Sequence, residues 1–261
     1  MIIKKKFQKL YRLSKQYRIK LLEVSQQVQA IHIGGSFSCL EILNTIYNIF
    51  NRKNNINFIL SKGHTAIAQY IILNQKKIIS NKQLKLYCKK EGDLGVHPEI
   101  STKGIMASTG SLGHGLAMTA GLAIADKKKD CFCVLSDGEL MEGSVWEAVL
   151  MISSLDLNNI IVVVDFNGLQ SSTFSKDTHK SLQPIDQKFK AFGWDTAICD
   201  GHKIEDIENK ILNRQKSKPF ALIAKTIKGY PVSFMMNKPI WHYRSPSDEE
   251  FLKAKGEINE K

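Results

Sequence analysis

The chain has 261 residues, of which 43% are hydrophobic and 24% charged, and its formal net charge at pH 7 is +12. These fractions are ordinary for a globular protein, and no apolar stretch approaches the roughly 18 residues of a membrane span, so we expect no membrane segment. The basic residues are spread along the chain and arginine is scarce among them, so the charge alone does not predict nucleic-acid binding.

The five cysteines indicate a reducing compartment. They are odd in number and form no CxxC pair, which argues against a disulfide framework. Cys131 and Cys133 alternate with apolar residues, as buried thiols in a strand do. The basic N-terminal segment MIIKKKFQKLYRLSKQYRIKLL lacks the apolar region and the cleavage site of a secretory signal. The expected location is therefore the cytoplasm.

The first half of the chain alternates helical patterns with one strand. In chain order we expect a helix over residues 7–30, a break at Gly34-Gly35-Ser36, a helix capped by Ser38, a strand over 58–60 and a helix over 65–73. Residues 88–112 contain four glycines and a proline without regular periodicity. They predict a long ordered loop, and such loops are often functional.

In the second half, apolar strands alternate with helices. We expect a helix of small residues over 113–125, strands over 131–135, 160–165, 194–199 and 220–224, and helices over about 143–155 and 203–215. Strands that are apolar throughout are typical of a sheet buried on both faces. The pattern predicts an α/β fold, with a mostly parallel central sheet and helices on both faces. Residues 1–261 would form a single domain with N-terminal helices and a C-terminal extension.

Polar residues follow the predicted strands at the carboxyl edge of this sheet, where α/β proteins bind ligands. Asp137 and Asn167 follow successive strands and are about 30 residues apart. Carboxylate and amide oxygens suit Mg²⁺ or Ca²⁺, and Gly138 would let a phosphate approach the backbone. The alternative is two strand-end turns, which favour Asp, Asn and Gly for conformational reasons alone.

Six further segments carry a resemblance to a known family. They are HIGGSFSCLEIL (32–43), LSKGHTAIAQY (60–70), GVHPE (95–99), STGSLGHGLAMTAGLAIA (108–125), SDGELMEGSVWEA (136–148) and KGYPVSF with WH (228–242). Together with the Asp-Gly and Asn pattern they resemble the N-terminal half of transketolase, especially the form divided between two polypeptides. The resemblance covers roughly residues 10–250 and implies a domain that binds thiamine diphosphate.

The resemblance also implies the site residues and a metal, Mg²⁺, which Ca²⁺ or Mn²⁺ can replace. The implied metal ligands are Asp137, Asn167 and the backbone carbonyl of Leu169. The implied cofactor contacts are His64, Gly110, Leu112, Ser136, Gly138, Glu142, Asn167 and His242, with Glu142 also at the contact between subunits. The implied catalytic residues are His32, His97 and His242, because an imidazole titrates near working pH.

The chain departs from the family pattern at two positions. Ser136 stands where the family usually has the first glycine of Gly-Asp-Gly, and its side chain would lie close to the diphosphate. Phe166 replaces the polar neighbour of the ligand asparagine. Among the remaining histidines, His114 would lie behind the site, whereas His179 and His202 are interpreted as surface residues.

The resemblance implies transfer of a two-carbon ketol unit between a ketose phosphate and an aldose phosphate. A separate chain with the pyrimidine-binding and C-terminal domains would complete the site, in an α2β2 assembly. Three alternatives remain: a non-catalytic half that only pairs with a partner, a related subunit of another sugar pathway, and a 2-oxo acid dehydrogenase subunit. The HPE and GSLGHGL motifs favour a sugar substrate over the last of these.

Overall fold

A computed structural model of the chain describes residues 2–53 and 55–260, apart from the side chains of Ile2 and Ile3. Met1, Asn54 and Lys261, which the expected domain includes, lie outside the described residues. Five strands form one sheet in the order β1-β2-β3-β7-β6, and all neighbouring strands are parallel. They are β1 (Asn57–Leu60), β2 (Cys131–Ser136), β3 (Ile160–Phe166), β6 (Asp195–Asp200) and β7 (Phe220–Lys225). A two-stranded hairpin, β4 (Leu169–Gln170) with β5 (Thr173–Phe174), follows β3.

Helices cover both faces of the sheet, as predicted. They are α1 (Ile2–Ser25), α2 (Ile33–Ser38), α3 (Leu40–Thr45), α4 (Ala66–Gln75), α5 (Asn81–Lys85), α6 (Gly115–Ala125), α7 (Gly143–Ser154), α8 (Ser175–Thr178), α9 (Ile185–Ala191), α10 (Ile204–Leu212) and α11 (Asp248–Glu260). In the described part of the chain, none of them is long and apolar enough to span a bilayer.

Two hydrophobic cores lie on opposite faces of the sheet. Along β3, Ile161 and Val163 belong to the core under α1, α3 and α4, whereas Val162 and Val164 belong to the core under α6 and α7. This alternation follows from the two-residue period of a strand. Because both faces are covered, the strands can be apolar throughout, which is the pattern that the sequence shows.

The predicted helix boundaries needed two corrections. The first helix ends at Ser25 and not at residue 30; the Ser25 hydroxyl binds the Leu22 carbonyl and the chain tightens into turns. The predicted break at Gly34-Gly35-Ser36 is wrong, because these residues lie inside α2. A Cβ on Gly34 would lie 2.7 Å from the carbonyl oxygen of Trp241, so this glycine serves close packing.

A buried ion pair joins the carboxyl ends of the strands. Lys62 follows β1 and pairs with Asp165 at the end of β3, and both side chains are at most 1% exposed. Asp165 also accepts hydrogen bonds from Ser38 of α2, at 2.6 Å, and from Thr226 after β7. Burial alone would raise the pKa of Asp165, but the Lys62 ammonium and these hydrogen bonds hold it below its usual value.

We predict that Lys62→Met lowers the free energy of unfolding by about 3–5 kcal/mol, because it leaves the Asp165 charge buried without its counterion. Urea unfolding of the isolated chain measures this. The control is Lys190→Met, which removes a partly exposed ion pair with Asp186 and is expected to cost less than about 1 kcal/mol. Equal costs for the two variants would contradict the prediction.

Candidate functional site

A cleft of 540 Å³ opens at the carboxyl edge of the sheet, above β1, β2 and β3. Most of the residues predicted to bind the cofactor or the metal line it: His64, Gly110, Leu112, Ser136, Gly138, Glu142, Asn167, Leu169 and His242. They come from separate segments of the chain, which parallel strands bring to one edge. The cleft also contains residues that the sequence interpretation did not include, among them Lys62, Gln170, Ser171, His179 and Lys228.

Asp137 lies beneath the cleft floor, at the end of β2. Its carboxylate is fully buried, and Oδ2 accepts a hydrogen bond of 2.7 Å from the hydroxyl of Ser175. Oδ1 is also buried and has no hydrogen-bond partner within the described residues. Burial raises the pKa of Asp137 to about 6. A buried carboxylate oxygen without a donor is costly, and a bound cation would satisfy it.

The other two predicted metal ligands lie on the turn between β3 and β4. Asn167 Oδ1 accepts a hydrogen bond of 3.1 Å from the Leu169 amide, which fixes the turn and leaves the asparagine side chain at the cleft. Across residues 2–53 and 55–260 no group of three His, Cys, Asp or Glu side chains could hold a metal. The donor set on this edge is one carboxylate, one amide oxygen and backbone carbonyls, which suits a hard cation such as Mg²⁺.

Gly138 provides a close backbone surface at the start of the turn after β2. A Cβ on this residue would lie 2.8 Å from Cβ of Gln170 in β4, so the hairpin packs where a side chain would stand. The preceding Ser136 also lines the cleft, and its hydroxyl accepts a hydrogen bond of 3.2 Å from the Glu139 amide. Its side chain therefore supports the turn as well as facing the cleft.

Three histidines form a cluster on one side of the cleft. The His32 ring centroid lies 5.3 Å from that of His64 and 5.0 Å from that of His242, and the latter two are 5.9 Å apart. Tyr243 packs on His32 at 4.5 Å. His32 Nδ1 is buried without a partner in the described chain. Three distant segments thus place three imidazoles within contact of one another.

Burial keeps these imidazoles neutral. It lowers the pKa of His32 to about 4 and that of His242 to about 3, and nearby charges including that of Lys228 lower both further. The pKa of His64 is also lowered well below its usual value, by burial and then by Lys62. Neutral imidazoles can both donate and accept hydrogen bonds, so the cluster can exchange protons with a ligand without carrying charge.

His97 lies outside this cluster. It is exposed at the rim, and a Cβ on Gly110, whose φ is +141°, would lie 2.8 Å from Cδ2 of the His97 ring. Tyr70 donates a hydrogen bond of 2.9 Å to the His97 carbonyl. The glycine therefore lets the histidine pack over the backbone that lines the cleft, while the predicted loop over 88–112 keeps its irregular, ordered course.

Lys228 is the most informative residue that the sequence interpretation missed. It is 2% exposed, its Nζ lies 3.0 Å from His242 Nδ1 and 3.3 Å from the Ser171 carbonyl, and no carboxylate pairs with it in the described chain. Burial and then the charge of Lys62 lower its pKa to about 8. A buried cation that faces a cleft without a counterion favours an anionic ligand. Its position in the KGYP segment was the available signal.

Glu142 and Glu139 have different roles. Glu142 is exposed at the cleft, directly before α7. Glu139 is fully buried, and its Oε1 accepts hydrogen bonds from the Ser61 hydroxyl, at 2.5 Å, and the Gly113 amide, at 2.9 Å. Glu139 therefore ties the loop that carries Gly110 to the ends of β1 and β2, while Glu142 remains available at the surface.

The interpretation of His202 as a surface residue is wrong. Its side chain is 9% exposed, hydrogen-bonds to Glu41 and to the amide of Ile227, and stacks on Tyr230. His179 is exposed as expected, but it also lines the cleft. An isolated histidine in a polar segment gave no signal for either position, because both depend on residues distant in the chain.

We predict that Gly138→Ala lowers the free energy of unfolding by about 1–3 kcal/mol, because the added methyl group forces the β4–β5 hairpin to shift. The matched control is Gly143→Ala, where a Cβ would meet nothing within 4 Å. Urea unfolding and titration calorimetry with thiamine diphosphate and Mg²⁺ measure both variants. The prediction is wrong if Gly138→Ala has the stability and the cofactor affinity of the control.

Comparison with known proteins agrees with this geometry. Residues 11–257 match the family model of the transketolase thiamine diphosphate binding domain. The chain is 34% identical to one of the named subunits of apulose-4-phosphate transketolase from Phocaeicola vulgatus, over 95% of this chain and 93% of that protein. It is 36% identical to human transketolase over 72% of this chain, but over only 31% of that protein.

A solved structure shows the same fold at low identity. Transketolase from Campylobacter jejuni superposes with a TM-score of 0.89 at 24% identity, over 97% of this chain and 43% of that chain. The chain thus spans less than half the length of that transketolase, whereas it matches the apulose-4-phosphate transketolase subunit almost from end to end. The chain belongs to the transketolase family and corresponds to its thiamine-diphosphate-binding N-terminal subunit.

Proposed function

We propose that this chain holds thiamine diphosphate and Mg²⁺ in a transketolase completed by a second polypeptide. The observation that carries the proposal is Lys228, a buried cation that faces the cleft with no counterion among the described residues. The unpartnered Oδ1 of Asp137 provides the opposite charge at the floor of the same cleft. A metal–diphosphate group carries both charges that these two residues require, which an uncharged ligand would not.

Each residue has a defined role in this proposal. Asp137, Asn167 and the Leu169 carbonyl would hold the metal, with Mg²⁺ as the expected ion and Ca²⁺ or Mn²⁺ as substitutes. Lys228, His64 and His242 would bind the diphosphate, and Gly138 would let it approach the backbone. When bound, thiamine diphosphate supplies an electron sink for cleavage of a carbon–carbon bond. His32 and His97 would move protons at the sugar hydroxyl and carbonyl.

A partner polypeptide is part of the proposal. The relatives from Phocaeicola vulgatus and Actinobacillus succinogenes are each named as one subunit of a transketolase. We define the α6–α7 face by Met118, Ile124, Leu150 and Met151, which are between 39% and 53% exposed. It begins next to the cleft, since Glu142 precedes α7. An exposed apolar face of this kind supports docking of another chain, and two copies of each chain would form an α2β2 assembly.

The proposed reaction is transfer of a two-carbon ketol unit from a ketose phosphate to an aldose phosphate. Relatives are named for apulose 4-phosphate and for 6-deoxy-6-sulfo-D-fructose, so the sugar varies within this family. We propose one domain over residues 1–261, in the cytoplasm, serving the pentose phosphate pathway or a related sugar pathway. The reduced cysteines support this location, since all five are free.

We expect co-expression with its partner chain to yield a complex that transfers a ketol unit from xylulose 5-phosphate to ribose 5-phosphate. Titration calorimetry with thiamine diphosphate and Mg²⁺ is the first measurement, and the coupled ketol-transfer assay is the second. Absence of cofactor binding at millimolar concentration would leave the alternative, a half that only pairs with its partner. Binding without ketol transfer would instead point to another sugar substrate.

The pKa of Lys228 predicts how diphosphate binding depends on pH. Since this pKa is about 8, the ammonium is mostly charged at pH 7 and mostly neutral at pH 9. The affinity for Mg²⁺–diphosphate should therefore fall by up to about tenfold between pH 7 and pH 9. Lys228→Met should weaken binding at pH 7 and flatten this part of the profile. An unchanged profile in the variant would assign the pH dependence to another group.

A further inference from the structure

The loop that carries Lys228 is fixed from behind, on the side away from the cleft. Residues 226–230 follow β7, and several of their backbone groups have distant partners. The Thr226 amide donates to the Phe166 carbonyl, and the Gly229 amide donates to the Gly34 carbonyl, both at 3.0 Å. The Ile227 amide, directly before Lys228, donates to Nε2 of His202 at 2.9 Å.

His202 can make its two hydrogen bonds in only one protonation state. Nε2 must carry a lone pair to accept from the Ile227 amide, so the ring hydrogen lies on Nδ1. Nδ1 lies 3.1 Å from Glu41 Oε2, which accepts that hydrogen. The ring also stacks on Tyr230, with centroids 4.0 Å apart and an interplanar angle of 26°. The imidazole is therefore held in position and orientation by three neighbours.

Glu41 connects His202 to a second anchor of the same loop. Its carboxylate, 2% exposed, accepts two hydrogen bonds from the Arg18 guanidinium, at 2.6 and 2.7 Å. Arg18 Nε donates to the Tyr230 carbonyl at 3.0 Å. Burial would raise the pKa of Glu41, but the Arg18 charge and the His202 hydrogen bond lower it to about 2. The carboxylate thus stays charged and holds both anchors.

We propose that His202 is a positioning residue for cofactor binding: through the Ile227 amide it fixes the backbone from which Lys228 reaches the diphosphate. The proposal rests on the proposed function, in which Lys228 binds the diphosphate. His202 does not line the cleft and touches no ligand there. It acts by keeping the loop ordered, so that the long lysine side chain does not lose additional backbone freedom when the anion binds.

Two conservative variants separate the two hydrogen bonds of His202. His202→Gln places an amide oxygen near the position of Nε2 and can still accept from Ile227. His202→Asn places its amide near Nδ1 and can still donate to Glu41, but it cannot reach Ile227. The probe is inorganic diphosphate with Mg²⁺, titrated into the full chain by calorimetry. We expect His202→Asn to weaken binding about three- to tenfold, and His202→Gln to stay within about twofold of the unchanged chain.

A double variant tests whether the effect passes through Lys228. In the Lys228→Met background, His202→Asn should cause no further loss, because the group that it positions is absent. Hydrogen exchange of the Ile227 amide adds a readout without ligand, with protection lost in His202→Asn and kept in His202→Gln. Unfolding in urea shows how far each variant alters stability in general.

The outcomes separate the inference from the proposed function. If the unchanged chain binds no Mg²⁺–diphosphate, or Lys228→Met binds as well as the unchanged chain, the proposed role of Lys228 fails and the inference fails with it. If Lys228→Met weakens binding but His202→Asn does not, only the inference is overturned. Equal losses from His202→Asn in both backgrounds would also overturn it, since they indicate a general structural effect.

Discussion

The buried ion pair between Lys62 and Asp165 is the interaction on which the rest of the site depends. Each charge lies in a nearly dry interior, where an isolated ion would be strongly unfavourable. Asp165 also binds Ser38 and Thr226, so one carboxylate joins the ends of three strands and a helix. The residues that follow each strand, including Asn167 two positions further on, leave the sheet from a common fixed point. The geometry of the cleft follows from that point.

Charge is distributed unevenly above this pair. Lys228 is buried with no counterion in the described part of the chain, and the nearby imidazoles of His32 and His242 are kept neutral by burial. Asp137, at the floor, has a buried oxygen for which the described residues supply no donor. One side of the cleft thus lacks an anion and the other lacks a cation, and both requirements concern a volume of 540 Å³. Such an arrangement costs stability in the free protein and favours a ligand that is itself a cation–anion pair.

The strands were predicted from the sequence to within about one residue at each end, because continuous apolar runs bounded by polar residues leave little alternative. The glycines of α2 were misread as a break. Their role is close packing, which for Gly34 is against Trp241, and no local pattern reveals it. The short helix α5 was also missed, although Ser80 and Gln83 form a capping box at its start. Helices of about five residues are too short for periodicity to identify.

By itself, the sequence determined the parallel sheet and the loops that carry the site, because periodicity and motif spacing are properties of neighbouring residues. The tertiary structure decided which charges meet. Lys62 and Asp165 are 103 positions apart, and His202 and Glu41 are 161 apart, so neither pairing has a local signal. Whether a lysine is solvated or buried, and whether a histidine lies on the surface or holds a loop, depends on what packs over it. That is a property of the folded chain, because desolvation exists only once distant segments have excluded water.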